Sequence, residues 1–321
     1  MTTRGPGRWL VLLSFALVSF VPAPQPAAQS APGEIVGRKL PVPGAKVDGT
    51  TAKLSEVEAE MVARLAPQPQ AERLLQYAIS HHAGATDEIK RRVREWRGQL
   101  SRTEGLATLL DVAMNGDDLR VRAAASEIEL AILNMAKATA QVDVLIGQIK
   151  ANPSDSRQAI WILGFLANRG IDSERIHGEL RVWTHASDEM VRYQAVAAIS
   201  YIGTDDTVPD LLDAFHHDSS RYVRIEGGGC GLAHGGMLTR AQRMQAVPRL
   251  IEMVEDKQLD AETRLYGYRA LREITDEVLS DDARLWRDWY TAHGAQTTER
   301  FRRFETERDR EGPPPTAGSD T

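Results

Sequence analysis

The residues best equipped for chemistry lie close together in the second half of the chain. Cys230 and His234 are four apart, a spacing that puts a thiol and an imidazole on one face of a helix, with His216 and His217 a short way upstream. Both side chains are zinc ligands, but a zinc site needs three or four organised ones. Cys230 is the only cysteine, and its place in the chain matches small buried alanines elsewhere. It is therefore expected to act as a compact core residue, with no metal and no cofactor. The same segment, Arg224-Ile225-Glu226-Gly227-Gly228-Gly229-Cys230-Gly231-Leu232-Ala233-His234-Gly235-Gly236, is rich in glycine. Each glycine weakens a helix by about 1 kcal/mol relative to alanine. A phosphate-cradling loop would need Lys-Ser/Thr after the glycines, and none is present there. Two readings remain: a partner's backbone approaches closely here, or the helix packs tightly on its neighbours, the second being favoured. Arg221, Tyr222, Gly227, Gly228 and His234 are the candidate contacts for a partner. The alternative is an enzyme or small-ligand pocket over residues 221–237.

The elements that must position these residues are helices. The 321 residues are 42% hydrophobic and 26% charged, the balance of a globular protein, with a net charge of −6. A duplex-binding surface carries a basic excess, so nucleic acid is not the expected partner. Arg4 and Arg8, the apolar run from Trp9 to Val21 and the small-residue stretch after it have the three parts of a secretory signal. Residues 1–30 are read as that signal, with cleavage after Ala28 or Ser30. The apolar run is shorter than the roughly twenty residues that span a bilayer, so no membrane insertion is expected after cleavage. A Pro/Gly-rich linker occupies 31–53. A single cysteine allows no disulfide within the chain, so the exported domain, periplasmic or secreted, is expected to stand on its core alone.

From residue 54 to about 295 the pattern is helical and repetitive. Val208-Pro209-Asp210-Leu211-Leu212-Asp213-Ala214-Phe215 aligns with Val247-Pro248-Arg249-Leu250-Ile251-Glu252-Met253-Val254. Both carry apolar residues at i, i+3, i+4 and i+7, one face of a helix. The spacing recurs at Val142, Leu145, Ile146 and Ile149, at Leu106, Leu109, Leu110 and Ala113, and loosely at Ile176, Leu180 and Trp183. After each such helix a second begins on an arginine, 15 to 17 residues on: Arg122, Arg157, Arg192, Arg224 and Arg264. Acidic or hydroxyl residues just before each arginine predict helix N-caps. Small residues dominate these second helices, as in Ala195, Ala197 and Ala198, and allow close helix approach.

The segment from Ser187-Asp188-Glu189-Met190-Val191-Arg192 to Ile202-Gly203 resembles the HEAT-repeat family, with its acidic turn, Val-Arg and Ala-rich second helix. The resemblance covers about residues 86 to 275. It implies an all-α solenoid of about six stacked antiparallel helix pairs. It also implies a structural ladder between turn aspartate and helix arginine, assigned to Asp188 with Arg192 and to Asp218 with Arg224. Arg122, Arg157 and Arg264 hold the equivalent positions. The tetratricopeptide and ankyrin signatures are absent, as are the His-Glu dipeptides of the di-iron hydroxylases of this fold. The stretch Asp282-Ala283-Arg284-Leu285-Trp286-Arg287-Asp288-Trp289-Tyr290 resembles a Trp-rich closing helix, with a separate charged, solvated helix and a disordered tail expected over 296–321. The resemblance thus implies a monomeric, non-enzymatic scaffold or assembly module of the cell envelope that holds a protein or peptide on its concave face.

Overall fold

The computed structural model describes residues 53–310. The expected signal, almost all of the linker, and the tail from residue 311 lie outside the described residues. A capping box between Ser55 and Glu58 opens α1 (Glu56–Ala63). A first-turn proline opens α2 (Pro67–Ile79), and α3 (Ala85–Trp96) comes next. The Thr103 hydroxyl accepts the Leu106 N–H at the start of α4 (Glu104–Asn115), and Asp118 caps α5 (Leu119–Ile132). Then come α6 (Thr139–Ala151), α7 (Arg157–Asn168) and α8 (Ser173–Trp183). Asp188 accepts the N–H groups of Met190 and Val191 to cap α9 (Glu189–Ile202). After α10 (Val208–His217) the helical segment 221–233 is π-helical over Val223–Gly229 and ends as α11 (Cys230–Ala233). A single turn, α12 (Arg240–Arg243), precedes the last pair, α13 (Val247–Glu255) and α14 (Ala261–Thr275), and α15 (Ala283–Arg310) closes the array.

These elements stack as helix pairs, six among the described residues: α2 with α3, α4 with α5, α6 with α7, α8 with α9, α10 with 221–233, and α13 with α14. The periodic apolar residues are the core, with Val142, Ile149, Val208, Leu211, Phe215, Val247 and Leu250 all buried. Second helices lie directly on one another, α7 on α9, α9 on 221–233, and that segment on α14, whereas the backbones of α6, α8 and α10 stay further apart and meet through long side chains. The small residues cause this: a Cβ on Gly164 would come within 2.5 Å of the Ala198 carbonyl oxygen. Closer packing on one side than the other curves the stack with the second helices inside. No helix among the described residues is long and apolar enough to cross a membrane.

The core divides in two. Val62 through Ala131 form one apolar cluster, and Leu130 through Phe301 form the other. Helix α5 lies at the seam and buries charges as well as apolar residues. Its Glu127 pairs with Lys137 at 3.3 Å and with Arg169 at 3.5 Å, and its Glu129 takes both Arg102 contacts at 2.6 and 2.7 Å. Buried carboxylates persist because each is paired.

The C-terminal end departs from expectation. The charged helix expected to be separate and solvated continues from the tryptophan helix without a break. Trp286 and Phe301 are both buried, and Glu305 accepts the backbone N–H of Ala241. From Glu299 to Arg310 the only apolar residues are Phe301 and Phe304, too few to mark a buried face among the charges.

Candidate functional site

The 221–233 segment keeps the pattern of α9 with one residue added. In α9, Ala195 and Val196 are buried, Ala197 is half-buried, and Ala198, Ile199 and Ser200 are buried again. In the next second helix Gly227, Gly228 and Gly229 are buried, Cys230 is half-buried, and Gly231, Leu232 and Ala233 are buried. The π-helical turn absorbs the additional residue, since its i→i+5 bonding places more residues in each turn. Cys230 therefore takes the place of Ala197 on the inner face, not the buried place of Ala198 that counting from the arginines assigns to it. The expectation of a core thiol is corrected accordingly.

Burial also decides the glycines. A Cβ on Gly228 would stand 2.5 Å from the Phe215 nitrogen and 2.6 Å from the Leu211 carbonyl oxygen. One on Gly227 would stand 3.1 Å from Val196 Cγ1, and one on Gly229 would lie 2.9 Å from the Tyr266 ring. Gly227 and Gly228 are therefore not partner contacts. They face α9 and α10, and the lack of a side chain is what lets those helices in.

On the inner face, Cys230 Sγ lies 3.3 Å from His234 Nε2, and His234 Nδ1 lies 2.6 Å from Glu273 Oε2. Arg269 Nε donates to the other oxygen of Glu273 at 2.7 Å. The hydrogen bonds to Cys230 and Glu273 outweigh burial and push the His234 imidazole up to about 9. Burial works against ionising Glu273, yet its bonds to His234 and Arg269 hold it below the usual carboxylate range. Tyr193, Tyr201 and Tyr266 stand around this chain, each pushed above the ordinary phenol value chiefly by burial. His216 is not part of it, since its Nε2 pairs with Asp256. Among the described residues no group of three or more His, Cys, Asp or Glu is arranged to hold a metal ion.

Arg221 and Tyr222 lie elsewhere, at the start of the segment. Arg221 makes an exposed ion pair with Glu262 at 2.6 Å. Tyr222 is 43% exposed, and its ring lies 4.9 Å from that of Tyr193. Ser220, Arg221, Tyr222, Ile225, Glu226 and Glu262 line a shallow, open depression of about 300 Å³. His234 does not line it. The stretch expected to form one pocket thus holds two separate features.

The arginine ladder exists, but one step out of the expected register. Arg192 donates to the carbonyls of Ala186 and Ser187 in its own turn, and its carboxylate is Asp218 of the next repeat, at 2.9 and 3.1 Å. Arg224 repeats this with the Asp218 carbonyl and with Asp260, at 2.7 and 2.6 Å. Asp188 caps its own helix and accepts the Ser154 hydroxyl, so Asp188–Arg192 and Asp218–Arg224 are not the pairs. A guanidinium at the fourth residue of a helix points back over the preceding turn and outward to the neighbouring repeat, which is why the pairing crosses repeats. Arg157 is exposed near Asp188. Arg264 lies in the first turn of α14, the second helix of the last pair, with no further repeat turn to supply an aspartate, and its buried Nε has no partner.

Arg122 differs most. It is 3% exposed and bonds the carbonyls of Gly116 and Gly236, both at 2.6 Å. Gly236 lies in the insertion that lengthens the last arginine spacing to 40. The buried Arg243 fastens the same turn from within, through the Ala233 and Gly235 carbonyls. Gly236 has φ +63°, and a Cβ there would come within 2.2 Å of the Ser200 carbonyl oxygen. Sequence reasoning had no signal for this tether, because a guanidinium on a distant carbonyl leaves no spacing. It also missed His177, whose ring nitrogens meet Asp206 at 3.0 Å and Asp210 at 2.5 Å.

Stacked helix pairs, inner second helices and an inter-repeat Arg–Asp ladder define an all-α solenoid. Residues 142–227 match the family model for HEAT repeats, so this part of the array is built of HEAT repeats. The match ends inside the π-helical segment, where the repeat leaves its regular register. A comparison with curated proteins finds no match.

Proposed function

We propose that this chain is a non-enzymatic binding module of the cell envelope that holds a protein or peptide. HEAT repeats commonly serve as protein-interaction scaffolds, and the N-terminal residues have the parts of a secretory signal. The observation that carries the reading is the ridge at the start of the fifth second helix. It offers an exposed aromatic, Tyr222, backed by Tyr193, beside the solvent-facing Arg221–Glu262 pair. A rigid aromatic next to charges that can re-pair suits a polypeptide, whereas a shallow depression offers little enclosure to a small molecule.

The test is a crosslinking pull-down from envelope fractions with the native chain and a Tyr222→Ala/Arg221→Glu variant. The native chain should recover a defined polypeptide that the variant loses. Equal recovery by both would move the binding surface elsewhere, and recovery of nothing specific would sink the proposal.

A further inference from the structure

The chain from Cys230 through His234 to Glu273 lies outside the proposed binding ridge, and no part of that ridge needs it. Three independent features converge on the sulfur. The π-helical turn moves it from a core position to the inner face. An imidazole nitrogen lies within reach of it. A carboxylate, itself held by Arg269, fixes the far side of that imidazole. Because Glu273 accepts from Nδ1–H, Nε2 faces Sγ and the two share one proton. This is the arrangement of nucleophile, base and orienting group that activates a thiol.

We propose that Cys230 is a thiol–disulfide exchange site, which takes a low-molecular-weight disulfide and forms a mixed disulfide on the inner face of the solenoid. The Sγ–H proton passes to His234 Nε2. The sulfur electron pair attacks one sulfur of the incoming disulfide, the S–S bond breaks, and the departing thiolate takes the proton from Nε2. A second thiol reverses the reaction. The charge that develops on Cys230 is faced by groups from every neighbouring element. Arg269, Glu273 and Tyr266 stand on α14, and Tyr193 and Tyr201 on α9. Glu226 lies on the same segment, Arg122 on α5 and Arg243 on α12. Three of these are arginines. With one cysteine in the chain, no second thiol resolves the mixed disulfide internally, so the product persists until an external thiol removes it.

The experiment uses the folded chain with iodoacetamide across pH 5 to 10, and with oxidised glutathione read by intact mass. Oxidised glutathione should give one adduct that dithiothreitol reverses, and iodoacetamide one permanent thioether whose rate of formation is followed. At pH 6.5 the native rate should exceed those of His234→Ala and Glu273→Gln by about tenfold for the first and less for the second. The variants should recover at high pH, where an ordinary thiol ionises at about 8.5. Glu273→Gln keeps the side-chain shape, so it reads the relay even if His234→Ala fails to fold. A thiol that reacts only after denaturation, or one pH profile shared by all three proteins, would overturn the proposal. Partner recovery by Cys230→Ser should be unchanged, which separates this result from the fate of the binding ridge.

Discussion

Gly228→Ala tests whether the glycines serve packing. The added Cβ would meet the Phe215 nitrogen at 2.5 Å, the Leu211 carbonyl oxygen at 2.6 Å and the Phe215 Cα at 2.9 Å. All three are backbone atoms of α10, so no side-chain rotation relieves the overlap and the two helices must separate. Overpacking costs about 1–3 kcal/mol, and backbone contacts belong at the upper end. Alanine recovers about 1 kcal/mol of helix propensity, leaving the variant about 2 kcal/mol less stable. In a domain of this size that lowers Tm by roughly 4–8 °C. Gly227→Ala is the control, because its Cβ would meet only side-chain atoms, the nearest being Val196 Cγ1 at 3.1 Å, a methyl that can give by a few tenths of an ångström. It should stay within about 1 kcal/mol of the native chain. Urea and thermal unfolding tracked by circular dichroism measure both. A Gly228→Ala chain as stable as the native one, or more so, would refute the packing account.

Asp218→Ala should cost about 3–5 kcal/mol in urea unfolding, because it strands Arg192, only 12% exposed, without its inter-repeat carboxylate. Glu262→Ala, which breaks the exposed Arg221 pair, should cost less than about 1 kcal/mol, and equal losses would show that the ladder is not structural. His177 supplies a pH dependence. Its hydrogen bond to Asp210 outweighs burial and raises the imidazole above 6.5. The folded form thus binds the proton more tightly than the unfolded one. The contribution is complete below about 6.5 and fades as pH rises through the folded value. The stability advantage of the native chain over His177→Gln should therefore be larger at pH 6 than at pH 9, and a constant difference would remove the assignment.

Most of the array was legible because one physical demand, burying a stripe on each helix, writes itself into the sequence at i, i+3, i+4 and i+7. Val142 to Ile149 and Val247 to Val254 are buried as that spacing requires. The arginines were legible as a repeat but not in their pairing, since sequence distance ranks Asp188 closer to Arg192 than Asp218, and only the stacking direction reverses that order. Cys230 was misplaced for a related reason. Counting from Arg224 presumes 3.6 residues per turn, and a single π-helical turn makes every later assignment in that helix wrong by one residue. Glu273 and Arg122 left no signal, because both act on residues tens of positions away, 39 and 114 respectively.

The departures from the regular repeat are not scattered. The π-helical turn, the glycine run, the lengthened arginine spacing and the tether from Arg122 to Gly236 all fall on one repeat and the loop that leaves it. Each is unfavourable by itself: glycines weaken the helix, the wider turn loosens its hydrogen bonding, and Arg122 and Arg243 are buried on carbonyls without a carboxylate bonded to either. A stack that needed only to persist would repeat Ala195 to Ser200 at this position and close the gap. The surrounding helices hold the irregular repeat in place instead, and the outcome is a thiol on the inner face where α9 presents the methyl of Ala197. Local irregularity carried by regular neighbours on both sides is where local rules are expected to yield to a functional demand, and here the glycines let the irregular helix pack while the thiol reaches the inner face.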